Sequence, residues 1–314
     1  MKRPSNLPLK DRERFFLISY LIYLLLRFIS FLINLLPEAV ALWIGRWLGK
    51  AMYYLDMEHR KVAFQNLNLA FGEEKSKEEL QNIAKKSFEN LGMMAMEFFR
   101  IPNLDIQTFQ KKVKVEGLER ALKVLDENRG ALLLLGHFGN WELMALMSKV
   151  IGRPIVVIAK PIKRNPWLYQ WILKSRERMG LVVIPPQNAT QKVIQALSEN
   201  QIVGVLFDQR GKRSQGIWAD FFGRKVPTTP GLAVMALRSK APVIPVFMVR
   251  EGQGRHHLFI KEPLKLIHTG DFRKDVEANT QLFNHVIESI VRQYPDQWLW
   301  IHRRWERKRQ HSKE

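Results

Sequence analysis

The chain opens on an apolar run, Phe15 to Leu36 (FFLISYLIYLLLRFISFLINLL), whose 22 residues carry one charge, Arg27. As a helix it would be about 33 Å long, matching the hydrocarbon core of a bilayer, and it predicts a membrane anchor. Two other readings of the run stay open. A basic start (Lys2, Arg3, Lys10, Arg12, Arg14) followed by Ala39-Val40-Ala41 has the outline of a cleavable signal peptide. Against it, the run is longer than a usual signal core and the amphipathic pattern continues through Trp43–Leu48. Arg27 in mid-run, with aromatic residues scattered around it, also suits a helix lying in the interface. Five basic residues before the run face four soon after it (Arg46, Lys50, Arg60, Lys61), so charge asymmetry assigns no orientation.

From Pro37 to Ile101 apolar positions recur three and four apart, and Ser76-Lys77-Glu78-Glu79 has the form of a capping box. This predicts a small helical subdomain over 37–110. From about Lys111 the rhythm changes to short aliphatic runs alternating with amphipathic stretches. The predicted strands are Ala131–Leu135, Ile155–Ile158, Val182–Ile184, Ile202–Leu206 and Val243–Val249, and the helices between them begin near Gly117, Asn140, Asn165, Thr190 and Gly231. Such alternation predicts an α/β domain with a largely parallel central sheet over 111–301. The last stretch, 302–314, carries six Lys/Arg against two Glu and reads as a basic tail, solvated or facing lipid.

Composition narrows the function classes. Hydrophobic residues at 46% and charged residues at 25% are ordinary for a globular chain, so membrane character rests on one segment. With no cysteine there is no disulfide framework, thiol nucleophile or Cys-bound zinc. Fifty Lys+Arg against 30 Asp+Glu give +20, which suits an anionic lipid, an acidic carrier protein or nucleic acid. No nucleic-acid-binding motif accompanies the charge. The charge alone sustains one reading from another class, a non-catalytic, membrane-tethered basic binding protein.

Candidate chemistry gathers where the run Leu132–Leu135 stops at Gly136-His137. That places His137 at the carboxyl end of a strand, where α/β sheets put their sites. Asn140 can cap the helix that follows, and Gly136 and Gly139 allow the bend between them. Were His137 and Glu142 both helical they would lie about 140° apart, so contact between them requires His137 to be off the helix. A carboxylate beside an imidazole fixes its tautomer and makes it a general base near neutral pH. The plainer reading is a loop histidine bonded to backbone and a surface glutamate. No Gly-x-Ser-x-Gly elbow, phosphate loop or His-Glu-x-x-His helix competes. Gly252-Gln253-Gly254 predicts a hairpin turn. His256-His257 lacks a third ligand, so neither a metal nor a cofactor is expected.

At this point the residues resemble a family, the late acyltransferases of lipid A biosynthesis (the lauroyl and myristoyl group), within the His-x-x-x-x-Asp/Glu lysophospholipid acyltransferases. The likeness runs through most of the chain in ordered motifs. They are Arg60-Lys61-Val62-Ala63-Phe64-Gln65-Asn66-Leu67, then Gly136-His137-Phe138-Gly139-Asn140-Trp141-Glu142, then Arg164-Asn165-Pro166 and Asp208-Gln209. Asp220-Phe221-Phe222-Gly223 follows, leading into Pro227-Thr228-Thr229-Pro230-Gly231, and last comes Trp298-Leu299-Trp300-Ile301-His302-Arg303-Arg304-Trp305.

The resemblance implies a glycerol-phosphate-acyltransferase-like α/β fold. It implies transfer of a fatty acyl chain from acyl carrier protein to a hydroxyl of a lipid A precursor, at the cytoplasmic face of a bacterial inner membrane. Within the same chemistry, a lysophospholipid or a glycolipid mannoside acylated from acyl-CoA is the alternative. By carry-over His137 is the base and Glu142 its orienting partner, with no covalent intermediate. Asn140, Arg164, Asn165, Asp208, Gln209, Thr228, Thr229 and Gly231 are then expected on the substrate side. Arg164 would clamp a phosphate, Asp208 would hold Arg164 or a loop near His137, and Thr228–Gly231 would meet an anion at a helix start. Trp298, Trp300 and Trp305, interleaved with basic residues, suit a membrane interface or lipid head groups, with core packing the alternative for Trp298 and Trp300.

Overall fold

A computed structural model of the protein describes residues 9–252 and 254–305. Lys2, Arg3 and the tail beyond Trp305 lie outside the described residues. Four helices come first, α1 (Leu9–Leu35), α2 (Glu38–Leu55), α3 (Met57–Phe71) and α4 (Lys77–Arg100). The predicted capping box starts α4: the Ser76 hydroxyl accepts from Glu79 N–H, and the Glu79 side chain accepts from Ser76 N–H. A close crossing of α2 on α4 requires glycine. A Cβ at Gly49 would lie 2.1 Å from the Phe88 carbonyl oxygen, and one at Gly92 would lie 2.1 Å from that of Gly45. The suggested cleavage site Ala39–Ala41 lies within α2, with Ala41 buried.

Within α1, Arg14–Leu35 is long and apolar enough to cross a membrane, and one side of it is stitched to the rest of the chain. The Ser19 hydroxyl donates to the Arg164 carbonyl at 3.2 Å, and Asn165 Nδ2 donates to the Ser19 carbonyl at 2.9 Å. Further along, Ser30 and Asn34 both donate to the Phe99 carbonyl. The opposite side exposes Leu17, Leu21, Leu25, Phe28 and Leu35.

After α5 (Ile106–Lys112) the chain builds a seven-stranded sheet, interleaved with helices. In sequence these are β1 (Val113–Glu116), α6 (Leu118–Asp126), β2 (Ala131–Leu135), α7 (Met147–Ile151), β3 (Ile155–Ile158), α8 (Pro166–Arg178), β4 (Leu181–Ile184), α9 (Ala189–Ser198) and β5 (Ile202–Leu206). A two-stranded hairpin, β6 (Ile217–Phe221) and β7 (Arg224–Thr228), interrupts them. Then come α10 (Gly231–Ser239), β8 (Val243–Gly252), β9 (Arg255–Ile260) and α11 (Phe272–Gln293). The sheet order is β1-β9-β8-β2-β5-β3-β4. Its pairs are parallel except β8 with β9, which form the hairpin predicted at Gly252.

Side chains alternate across the pleat and so divide two cores. Leu132, Leu134, Val203 and Val156 face a core shared with α3, α4, α9, α10, α11 and the tryptophans. Ala131, Leu135, Ile155 and Ile202 face the other core, under α6 and α7. The helical region and the α/β region therefore bury side chains in one common core. The stretch expected as a basic tail also joins that core as far as it is described. Arg304 is fully buried, with Trp298, Trp300 and Trp305 packed around Phe221, so the tryptophans serve the core and not a membrane interface.

Candidate functional site: a histidine at the mouth of an apolar cavity

Between β2 and α7 the chain turns through Gly136–Asn140 rather than entering a helix at once. Gly139 has φ +48°, and a Cβ there would lie 2.6 Å from the Met248 carbonyl oxygen, so only glycine lets this loop press against β8. The far side of the loop is fixed by a single bridge between Phe138 and Trp298, and by Gly139 N–H donating to the Gln297 carbonyl at 3.1 Å. The helix expected from Asn140 begins as a short 3₁₀ turn, Leu143–Leu146, with Asn140 Oδ1 accepting from Leu143 N–H.

His137 is thus held at the carboxyl end of β2, and the next parallel strand, β5, delivers Asp208 beside it. Asp208 Oδ1 lies 2.7 Å from His137 Nδ1, while Oδ2 accepts from His137 N–H at 2.8 Å and from Trp298 Nε1–H at 2.7 Å. A carboxylate accepts these bonds, so the proton sits on Nδ1 and Nε2 presents a lone pair. Gln209 Nε2 stands 3.3 Å from that nitrogen, where a substrate hydroxyl would bring its proton. Burial pulls the imidazole pKa down, but the charge and hydrogen bond of Asp208, with the charge of Glu142 behind them, leave it above its ordinary 6.5. Burial likewise works against the Asp208 carboxylate, yet its bonds to His137 and Trp298 hold its pKa below the usual carboxylate value.

The carboxylate bonded to the imidazole is therefore Asp208 and not Glu142, the partner expected from the motif. Glu142 is engaged by Arg176 of α8, with Arg176 Nη2 to Oε1 at 2.6 Å and Nε to Oε2 at 3.2 Å. The physical reason is placement: Glu142 lies past the loop, where α8 crosses it, whereas Asp208 follows a strand directly paired with that of His137. Arg176 and the cavity below were not singled out from the sequence, and Trp298 was, but not as a donor to Asp208. An arginine in an exposed-looking helix carries no signal for its role.

Arg176, Glu142 and Trp141 stand at one end of a cavity of about 130 Å³ with a largely apolar lining. It runs along one face of the sheet, from Leu135 and Leu206 at the carboxyl ends of the strands to Ala131, Ile155 and Ile202 at their starts. Four strand steps make that about 13 Å. Gly204, in the middle, leaves the width that a side chain would fill. Trp141 meets the His137 ring edge to face at 4.9 Å, so base and cavity share an entrance.

Several residues expected on the substrate side have other partners. Asn140 is buried and donates to Glu97 at 2.9 Å. Asn165 caps α8 through Leu168 N–H and holds α1 through Ser19. Arg164 is exposed in the preceding loop, and the guanidinium at the cavity is that of Arg176. Thr228 is buried, and its hydroxyl accepts from Arg304 and Asn284. Thr229 is exposed beside it, and Gly231 opens α10. Gln209, by contrast, reaches the imidazole, and its backbone carbonyl is gripped by Arg304 at 3.1 Å. His256 is bonded to Glu97, and His257 to Glu251.

The oriented imidazole stands beside Trp141, which lines the partly open apolar cavity. The chain belongs to the bacterial lipid A biosynthesis acyltransferase family, whose sequence profile matches residues 9–307. It is similar to the lipid A biosynthesis palmitoleoyltransferase of Escherichia coli K12, 28% identical over 274 residues covering 86% of each chain. The lipid A biosynthesis lauroyltransferase of the same organism is 28% identical over 280 residues, 88% of each. A phosphatidylinositol mannoside acyltransferase of Mycolicibacterium smegmatis is 27% identical over 213 residues, 67% of each. The protein is thus an acyltransferase that acts on lipid.

Proposed function

We propose that this protein moves a fatty acyl chain from an acyl-carrier-protein thioester to a hydroxyl of a lipid A precursor, at the cytoplasmic face of a bacterial inner membrane. The observation that carries the reading is the Asp208–His137 pair set at the entrance of the apolar cavity. The acyl chain occupies the cavity with its thioester carbonyl at the entrance. His137 Nε2 takes the proton of the acceptor hydroxyl as its oxygen bonds to the carbonyl carbon. When the carbon–sulfur bond breaks, the imidazolium returns that proton to the leaving thiolate. Asp208 stabilises the imidazolium throughout, and no acyl-enzyme forms. Glu142 fixes Arg176 at the entrance, where its charge favours an anionic part of either substrate. The net +20 steers an acidic carrier and a phosphorylated lipid to the same surface.

Mass spectrometry of lipid A from cells with and without the protein tests the acceptor. Loss of one acyl chain per lipid A is expected. Unchanged lipid A would reject that acceptor in favour of the second reading, an acylated glycolipid mannoside, which the mycolicibacterial relative supports.

Cavity width gives a second test. Gly204→Ala narrows the middle of the cavity by one methyl group, and the expected result is a shift in donor preference toward shorter chains by about 10–200-fold, the range for a methylene-sized misfit. Competition between donors of different length in one reaction measures it, and an unchanged ratio would place the chain elsewhere.

A further inference from the structure

Helix α8 carries basic residues on two sides. Arg176 faces the cavity, whereas Lys174 and Arg178, each about 200° around the helix from it and four apart from one another, share the opposite side. There they meet α1. A groove of about 580 Å³ runs between the two helices, with Arg27 and Tyr23 on one wall and Trp171, Lys174 and Arg178 on the other.

Among the described residues, three cations line this groove and no carboxylate does. Arg27 Nη1 reaches only the Tyr23 hydroxyl, at 3.4 Å, and its guanidinium lies 6.0 Å from the ring centroids of Tyr23 and Trp171. Among the described residues, Lys174 and Arg178 have no hydrogen-bond or ion-pair partner. All three residues are exposed, and among the described residues none of them meets a carboxylate, whereas Arg250, Arg120, Lys112 and Arg46 each meet a glutamate. Convergent like charges without a counter-ion repel one another, and an anion between them turns that repulsion into attraction.

What kind of anion follows from the walls. The polar side of α1 is bonded to the domain from Ser19 to Asn34, so the helix lies along the domain beside the groove. Its other side exposes an apolar stripe, with Leu21 at 54%, Leu25 at 56% and Phe28 at 57%. The tryptophans Trp167 and Trp171 with Tyr23 supply the aromatic belt that marks a headgroup level. A ligand with a phosphate between guanidinium and ammonium groups, and with hydrocarbon running out over that stripe, meets every surface offered.

We propose that the groove between α1 and α8 binds the phosphate of a membrane lipid, through Arg27, Lys174 and Arg178. This site lies across α8 from the cavity and does not depend on the acyl-transfer reading. It holds α1 and the domain together against the bilayer surface.

The test uses the full chain in a non-ionic detergent and dioctanoyl phosphatidate as the probe, followed by native mass spectrometry. The wild type is expected to retain one lipid per chain. Lys174→Gln/Arg178→Gln should weaken retention at least tenfold, whereas Lys86→Gln/Lys192→Gln, which removes two exposed charges elsewhere, should leave it unchanged. Because Lys174 and Arg178 make no internal bonds, the double variant keeps the wild-type fold. Equal retention by the wild type and the groove variant, or equal loss in both double variants, would overturn the site. Displacement of the lipid by inorganic phosphate at the same concentration would overturn the lipid assignment and leave a simple anion site.

Discussion

Asp208→Asn is expected to slow acyl transfer by roughly 10²–10⁴-fold while leaving the fold intact, and His137→Ala by at least as much. The asparagine is isosteric, but it accepts with one oxygen where the carboxylate accepts with two, and it carries no charge to stabilise the imidazolium. The pH profile separates this role from a structural one. In the proposed mechanism transfer needs His137 neutral, so kcat/KM should rise as pH passes upward through the imidazole pKa, which is shifted above 6.5 in the intact protein. Removing the Asp208 charge leaves burial less opposed, and the rising limb should move to lower pH even as the plateau falls. Glu142→Gln should move that limb less, since the charge of Glu142 is the smallest of the influences on the imidazole, and should instead release Arg176. A larger shift for Glu142→Gln than for Asp208→Asn would return the orienting role to the carboxylate of the motif.

The contrast shows what a linear reading can and cannot reach. The five strands of the parallel unit were legible, as were the starts of α6, α8, α9 and α10, because aliphatic runs, caps and glycines are local signals. His137 was legible for the same reason: a buried run ending in Gly-His marks a strand end. Its partner was legible only in part: Asp208 was expected to hold Arg164 or a loop near His137, and the resemblance to the motif gave the imidazole to the nearer acid, because the contact between β2 and β5 joins residues 71 apart. Strands β1, β6 and β7 were missed, and β9 was implied only through the hairpin turn expected at Gly252-Gln253-Gly254. Val113–Glu116 and Arg255–Ile260 mix charges with apolar residues because they lie at one side of the sheet, and Ile217–Thr228 forms a hairpin around Phe222-Gly223 with positive φ at both turn residues. Arg304 reads as one more charge in a basic tail. Only the fold supplies the Gln209 and Pro227 carbonyls, Thr228 and Asn284 that accept from its two Nη groups, together with the Phe221 ring it lies 5.1 Å from.

The largest stability effect is expected behind the site, at Glu97 of α4. Its carboxylate accepts from Arg250 Nη1 at 2.8 Å and Nη2 at 2.5 Å, and from Asn140 Nδ2 at 2.9 Å, with His256 Nε2 at 3.0 Å. Four elements therefore meet on one buried charge: α4, the His137 loop, β8 and β9. Burial alone would raise its pKa, but His256 and Arg250 lower it to about 2. Glu97→Gln keeps the shape and leaves the Arg250 guanidinium buried without a counter-charge, which should cost about 3–5 kcal/mol in denaturant unfolding. Glu97→Leu with Arg250→Met should cost less than Glu97→Gln alone, because the desolvated charge is gone as well. The pH dependence has a definite sign. A carboxylate whose folded pKa is depressed stabilises the protein above its unfolded pKa, near 4.5, and that stability is lost as pH falls toward 2. The wild type should lose stability through this window, and Glu97→Gln should lack that part of the loss. Since Asn140 anchors the loop of His137 to Glu97, the same variant should also lower kcat more than it raises KM. A loss under about 1 kcal/mol with kcat unchanged would show that the loop is held by Gly139 and Trp298 without help from the buried charge.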